Sequence, residues 1–144
     1  MMATRVTKLS VEQLPQLYQL RLQAYAVEAK LLGVEYLPPM TQALSDFIKE
    51  PDRHWGIFGA NQLQAGISCD GNQITSLVVH PNYFRQGLAS QLLSHVLPRQ
   101  AYWLVMTGAA NTPALLLYQK HGFTLSKRFE VEGLELVELH KSNN

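Results

Sequence analysis

Apolar positions along this chain change period several times, and each change marks a predicted element. Arg5 to Leu9 alternates and predicts a short first strand. Ser10 and Gln13 have the spacing of a capping box, in which the hydroxyl and the amide satisfy backbone donors reciprocally. Leu14, Leu17, Tyr18, Arg21, Tyr25 and Glu28 follow at three- and four-residue spacing, the stripe of a helix, with Pro15 loosening its first turn or delaying its start. Pro38 and Pro39 bar regular helix from Gly33 to Met40. Leu44, Phe47 and Ile48 then predict a short second helix ending at Glu50-Pro51. His54 to Ala60, Leu63 to Cys69 and the run ending at Val79 read as three strands joined at Asn61-Gln62 and at Asp70-Gly71-Asn72, an antiparallel meander.

In the second half, Ile74, Leu77, Val78 and Val79 close at His80-Pro81, while Leu88, Leu92, Leu93, Val96 and Leu97 recur at helical spacing up to Pro98. A strand feeds a helix through a tight loop, and the apolar run Ala101 to Met106 supplies the next strand. That crossover makes the two flanking strands parallel, so the sheet is mixed. Pro113 suits a first helical position, which makes Thr112 the predicted cap, leaves the Asn111 amide free for a ligand and lets Gly122 stop the helix. Phe123 to Val131 and Leu134 to Leu139 form a closing hairpin around Glu132-Gly133. The predicted class is α/β (α+β): a mixed, mostly antiparallel central sheet flanked by about four helices, in one domain spanning residues 1–144.

Composition narrows the partners more than the chemistry. At 144 residues, with 47% hydrophobic and 16% charged residues, the chain is long enough to bury one core. Its formal charge of +1 gives no nucleic-acid footprint, and no run is long and apolar enough for a membrane helix. The start MMATRVTKLS lacks the apolar segment of a signal peptide, and the lone Cys69 has no partner for an internal disulfide, so the expected compartment is the cytoplasm. Cys69 reads as a buried strand thiol rather than a nucleophile. His54, His80, His95, His121 and His140 are scattered without metal-ligand spacing, so no metal is expected.

The loop between Val79 and Leu88 carries the first chemical signal. Gly87 at the mouth of a helix permits positive φ and removes the Cβ that would hold a ligand away. The free N–H groups of the first turn and the helix dipole suit a phosphate. From Val79 to Ala89 the sequence VHPNYFRQGLA resembles the acyl-CoA signature of the GNAT superfamily of N-acetyltransferases, Gln/Arg-x-x-Gly-x-Gly/Ala. Gly87 and Ala89 match its last two fixed positions, and Phe84 stands where Arg or Gln is usual. A second stretch, Asn111, Ala114, Leu117, Tyr118, Lys120, Gly122 and Phe123, resembles the other GNAT signature in order and spacing.

The resemblance implies acetyl-CoA as donor and direct attack of a primary amine on its thioester. It implies a pyrophosphate held by the loop at Phe84, Arg85, Gln86, Gly87, Leu88, Ala89 and Ser90, a carbonyl oxygen held by main-chain N–H groups around Leu77, Val78 and Val79, further cofactor contact at Asn111, and Tyr118 as the acid that protonates the leaving sulfur. It also implies that Glu28, Glu35 and Tyr36, between the first two helices, face the acceptor. A lysine-like amine with a pKa of about 10.4 costs about 4.6 kcal/mol to neutralise at pH 7, so a base or water relay is needed. Relatives often carry a glutamate on the strand before the loop, where Gln73, Thr75 and Ser76 stand here. The candidates are Asp70, a water held by Thr75 or Ser76, and Glu28 or Glu35 from across the cleft. The acceptor is a small amine or a peptide; a protein N-terminal or lysine acetyltransferase and a non-catalytic acyl-CoA sensor are the alternatives. A homodimer is compatible with the closing hairpin.

Overall fold

The computed structural model describes residues 5–143. Strand β1 (Val6–Lys8) leads through a 3-10 turn at Val11–Gln13 into helix α1 (Leu14–Leu32). The helix starts at Leu14 because Pro15 has no N–H to donate to a preceding turn. At the expected capping box Ser10 N–H donates to Gln13 Oε1 at 2.8 Å, and the Ser10 hydroxyl lies 3.3 Å from the same oxygen. Gly33 ends α1 in the left-handed conformation. A 3-10 turn at Pro38–Thr41 precedes the short helix α2 (Leu44–Lys49).

The meander follows as β2 (Arg53–Gly59), β3 (Gln62–Asp70) and β4 (Gln73–Val79). The β2–β3 turn is centred on Ala60-Asn61, both at positive φ, one residue earlier than the sequence suggested. A loop leads to α3 (Leu88–Val96), then come β5 (Tyr102–Gly108), α4 (Thr112–Lys120), β6 (Thr124–Val131) and β7 (Leu134–Ser142). The closing strand runs three residues beyond the predicted end at Leu139, because β7 stays paired with β5 as far as Tyr102↔Ser142. The seven-stranded sheet has the order β1-β2-β3-β4-β5-β7-β6, and only the β4–β5 pair is parallel.

Helices cover both faces of this sheet. On one face Trp55, Ile67, Leu88, Leu92, Trp103 and Leu139 belong to a core shared with α3 and reached by Tyr118 of α4. On the other, Leu14, Leu17, Leu20, Tyr25 and Phe47 of α1 and α2 pack with Leu63 and Val78. The α1 helix lies close to the strands because Gly56 and Gly66, directly paired across β2 and β3, offer no side chain. A Cβ on Gly66 would come within 2.5 Å of Leu17 Cδ1.

That contact gives a test of the packing. Leu17 is fully buried and has nowhere to retreat, so Gly66→Ala should cost roughly 1–3 kcal/mol by chemical denaturation. An unchanged midpoint would mean that α1 rests on the sheet less closely than described.

Candidate functional site

The site begins where the sheet comes apart. Strands β4 and β5 pair only at Gln73↔Leu104 and Ile74↔Val105. Past Ile74 the two strands diverge, each still bonded to its outer neighbour. Between Ser68↔Ser76 and Cys69↔Ile74 the register slips, leaving Thr75 as an extra residue on β4. This bulge bends the strand and reverses its faces. Ile74, Leu77 and Val79 consequently pack on the α3 side, while Val78 packs on the α1 side. His80 N–H donates to Gln64 O of β3 at 2.8 Å. Successive N–H groups of a strand point to opposite edges, so those of Leu77 and Val79 face the opening and that of Val78 faces β3.

The loop after β4 ends in two left-handed residues, Arg85 at φ 64° and Gly87 at φ 78°. Gly87 is the N-cap of α3 and supplies no side-chain cap, so the N–H groups of Leu88, Ala89 and Ser90 point outward as free donors. A Cβ placed on Gly87 would meet nothing within 4 Å, so the space in front of these donors is open. Phe84, Arg85 and Gln86 are exposed, whereas the Leu88 side chain is buried in the core and leaves only its main chain to a ligand. Ser90 Oγ and His121 Nε2 share a hydrogen bond of 3.1 Å that ties α3 to the end of α4. Together these features fit a pyrophosphate.

Helix α4 departs from the sequence expectation. Its cap is Asn111, not Thr112: Asn111 Oδ1 accepts from Ala114 N–H at 3.2 Å. The Asn111 side-chain oxygen is therefore engaged by the helix, and of the amide expected to meet a ligand only the NH2 group is left to do so. Asn is the better cap here because its carbonyl reaches the N–H of Ala114, the residue after Pro113. Seven residues on, Tyr118 is buried and packs edge-on against Phe123 with ring centres 5.3 Å apart. Burial pushes its pKa up, and Glu28, Tyr25 and Cys69 add to the effect, so the phenol stays protonated.

Helix α1 closes the opening from the other face. The Tyr25 hydroxyl and Ser76 Oγ share a hydrogen bond of 2.8 Å, joining the helix to β4 beside the bulge. Glu28, one turn further on, is half-buried, and burial raises its carboxyl above 4.5. One turn earlier, Arg21 lines a cavity of about 360 Å³ together with Phe47, Asp52, Ser68, Thr75 and Ser76. The Thr75 hydroxyl donates to Asp52 Oδ2. His54 Nδ1 and Ser68 Oγ share a bond of 2.6 Å behind the cavity.

The structure thus brings Glu28 close enough to Tyr118 for its charge to act on the phenol and Thr75 and Ser76 to the cavity, and sets three candidates apart. Asp70 is exposed and paired with Gln73 at the zipped end of β4, three residues or about 10 Å along the strand from Ser76. The Asp70-Gly71 turn puts it there, because the hairpin must reverse before β4 can begin. Glu35 and Tyr36 are exposed and lie outside the cavity, which the neighbouring Pro38–Thr41 turn borders instead. Sequence reasoning missed Arg21, Tyr25 and Asp52 as site residues. The available signal was a charged side chain, Arg21, on the apolar stripe of α1. Burial raises the Cys69 thiol to about 12, so it stays protonated.

A mixed sheet opened at its single parallel pair, with a free-donor loop at the mouth of the opening, defines a recognisable class of three-layer α/β protein. The family model "Acetyltransferase (GNAT) domain" matches residues 52–125, just over half of the chain, and the chain belongs to that family. The chain is 29% identical over 133 residues to the UPF0157 protein YqkA of Bacillus subtilis, a match covering 87% of this chain. It spans only 39% of the length of that curated relative. The fold is similar to the ribosomal-protein-S18-alanine N-acetyltransferase of Escherichia coli, with TM-score 0.74 and 18% identity over 95% of this chain and 92% of that one. It is also similar to YncA of Salmonella typhimurium, solved with its cofactor acetyl-CoA, with TM-score 0.77 and 12% identity over 99% and 95% of the two chains.

His54 gives the site a pH signature. Burial is the main cause of its lowered pKa; Asp52 opposes that effect and Arg21 reinforces it. The unfolded chain binds this proton more readily, so stability is full above pH 6.5 and is lost as pH falls toward the folded value. His54→Gln should flatten that slope when denaturation midpoints are compared between pH 7.5 and pH 5. An equal slope in both proteins would show that His54 is not the titrating group.

Proposed function

We propose that this protein transfers an acetyl group from acetyl-CoA to the primary amine of a small acceptor, by direct attack on the thioester. The observation that carries this reading is the opening between β4 and β5, faced by the Leu77 and Val79 N–H groups, with buried Tyr118 close enough to Glu28 and Tyr25 for their charges to act on it. The open donors of the 84–90 loop support a place for the pyrophosphate of CoA. When bound, acetyl-CoA would supply a thioester carbonyl as acyl donor and a sulfur as leaving group.

Each residue then has a task that its surroundings suit. The Leu77 and Val79 N–H groups are fixed donors for a carbonyl oxygen that gains negative charge, and a strand already bonded along its other edge needs little reorganisation to offer them. Glu28 takes a proton from the incoming ammonium; its raised pKa makes it a better base than an exposed carboxylate. Tyr118 keeps its proton until the sulfur departs, because burial and the neighbouring Glu28 disfavour the phenolate. The cavity beside Ser76 receives the acceptor, and its volume of about 360 Å³ suits a small molecule.

The first test is calorimetric titration with acetyl-CoA, followed by thiol release against a panel of amines. Amine-dependent release is expected; binding without release across the panel would favour a sensor, and no binding would overturn the reading. Tyr118→Phe should lower kcat roughly 100-fold or more while the Kd for acetyl-CoA changes less than about threefold. In the wild type, turnover should rise with pH through a midpoint above 4.5 as Glu28 loses its proton. Glu28→Gln should remove that limb, and a persisting limb would assign the base elsewhere.

A further inference from the structure

Arg21 is a buried cation without an anion. It is 9% exposed, and its Nε is the one buried side-chain polar atom left without a hydrogen-bond partner among the described residues. Its guanidinium lies 4.3 Å from the centre of the Phe47 ring and 5.5 Å from that of Tyr25. Aromatic faces offset part of the cost of burying a charge, but they accept no N–H bond in the guanidinium plane. Among the described residues the only ion pair is Arg128 with Glu135, on the far hairpin.

The two acids that share the cavity are held by other groups. Asp52 accepts from the Thr75 hydroxyl, and Glu50 at the rim accepts from Gln42 Nε2 at 3.1 Å. The cavity therefore presents a cation and carboxylates that do not neutralise one another. A phosphate dianion would be repelled by Asp52 and Glu50, whereas a ligand carrying one carboxylate and one ammonium satisfies both signs. The planar fork of an arginine matches a carboxylate through paired N–H bonds. Arg21 also stands one helical turn before Tyr25, whose hydroxyl meets Ser76 where the strands part. An amine a few atoms from such a carboxylate would lie beside the opening.

We propose that Arg21 binds the carboxylate of the acceptor, and that the acceptor is a small aminocarboxylate, such as a free amino acid, rather than a simple alkylamine or the end of a protein chain. The assignment rests on the acyl-transfer reading in taking this cavity as the acceptor's. Its test measures binding apart from turnover. The protein saturated with coenzyme A is titrated calorimetrically with the twenty amino acids, β-alanine and γ-aminobutyrate, and with the carboxamide of each ligand that binds. At least one aminocarboxylate should bind at least tenfold more tightly than its carboxamide, a comparison that needs no variant. Arg21→Met should erase that preference, and Arg21→Lys should keep part of it. Equal affinity for acid and amide, no binding across the panel, or a preference that survives in Arg21→Met would each overturn the proposal, the last assigning Arg21 a packing role only. Thiol release with uncharged amines or peptides and no carboxylate preference would overturn the Arg21 assignment and leave acetyl transfer standing. Arg21-dependent carboxylate binding without thiol release would do the reverse.

Discussion

The geometry of this protein depends on a parallel pairing that stops after two residue pairs. β5 is bonded to β7 from Tyr102 to Gly108, and β4 is bonded to β3 as far as Val79, so each strand keeps one complete edge. Neither needs the other beyond Ile74. An unpaired backbone donor closed off from water costs about 1–3 kcal/mol, so the Leu77 and Val79 edges favour an opening that water or a ligand can enter. The Tyr25–Ser76 hydrogen bond holds β4 from one face, and Leu77 and Val79 pack from the other. The opening is a supported gap in the sheet, kept from closing by packing on both sides.

What the sequence made legible follows from how local each signal is. Periods of two and of 3.6 are local, and the order of strands and helices followed from them. Gly87 and its neighbours were legible because a left-handed cap needs a particular residue type at one position. The cap of α4 was misplaced by one residue because Asn111 and Thr112 are both good cap residues and Pro113 fits the first or the second helical position. The β2–β3 turn was placed one residue late because alanine rarely adopts positive φ. Asp70 looked close to the chemistry only along the chain; the hairpin sends it to the zipped end of β4. Asp52 and Arg21 come together through long-range packing of α1 on the meander, which no local window contains.

Buried polar residues are unevenly distributed between the two faces of the sheet. On the α1 side, Arg21, His54, Ser68 and Ser76 are all buried in or beside one cavity. The α3 side is filled by Leu88, Leu92, Leu93, Val96 and Trp103, and Trp103 satisfies its own indole N–H on Leu97 O at 2.8 Å. An apolar face gives a rigid support for the loop and for α3, whose donors need only be held in place. A polar face gives recognition, at the cost of desolvating groups that then require partners. His54 with Ser68 and Tyr25 with Ser76 satisfy one another internally; Arg21 does not.

The extra residue on β4 connects these two halves. Without it, Ile74 and Leu77 would fall on opposite faces of a period-2 strand, and either Ile74 or Leu77 with Val79 would leave the α3 core. With it, both stay in the core, Ser76 turns to Tyr25, and the Thr75 hydroxyl reaches Asp52. That last bond occupies a carboxylate that lines the cavity together with Arg21. One bulge therefore bends the strand that borders the opening and also sets which side chains β4 turns to the cavity. Deleting it would turn Ser76 and Thr75 from their partners and Ile74 or Leu77 from the α3 core together, so the packing of β4 and the polar contacts of the cavity share a single structural cause.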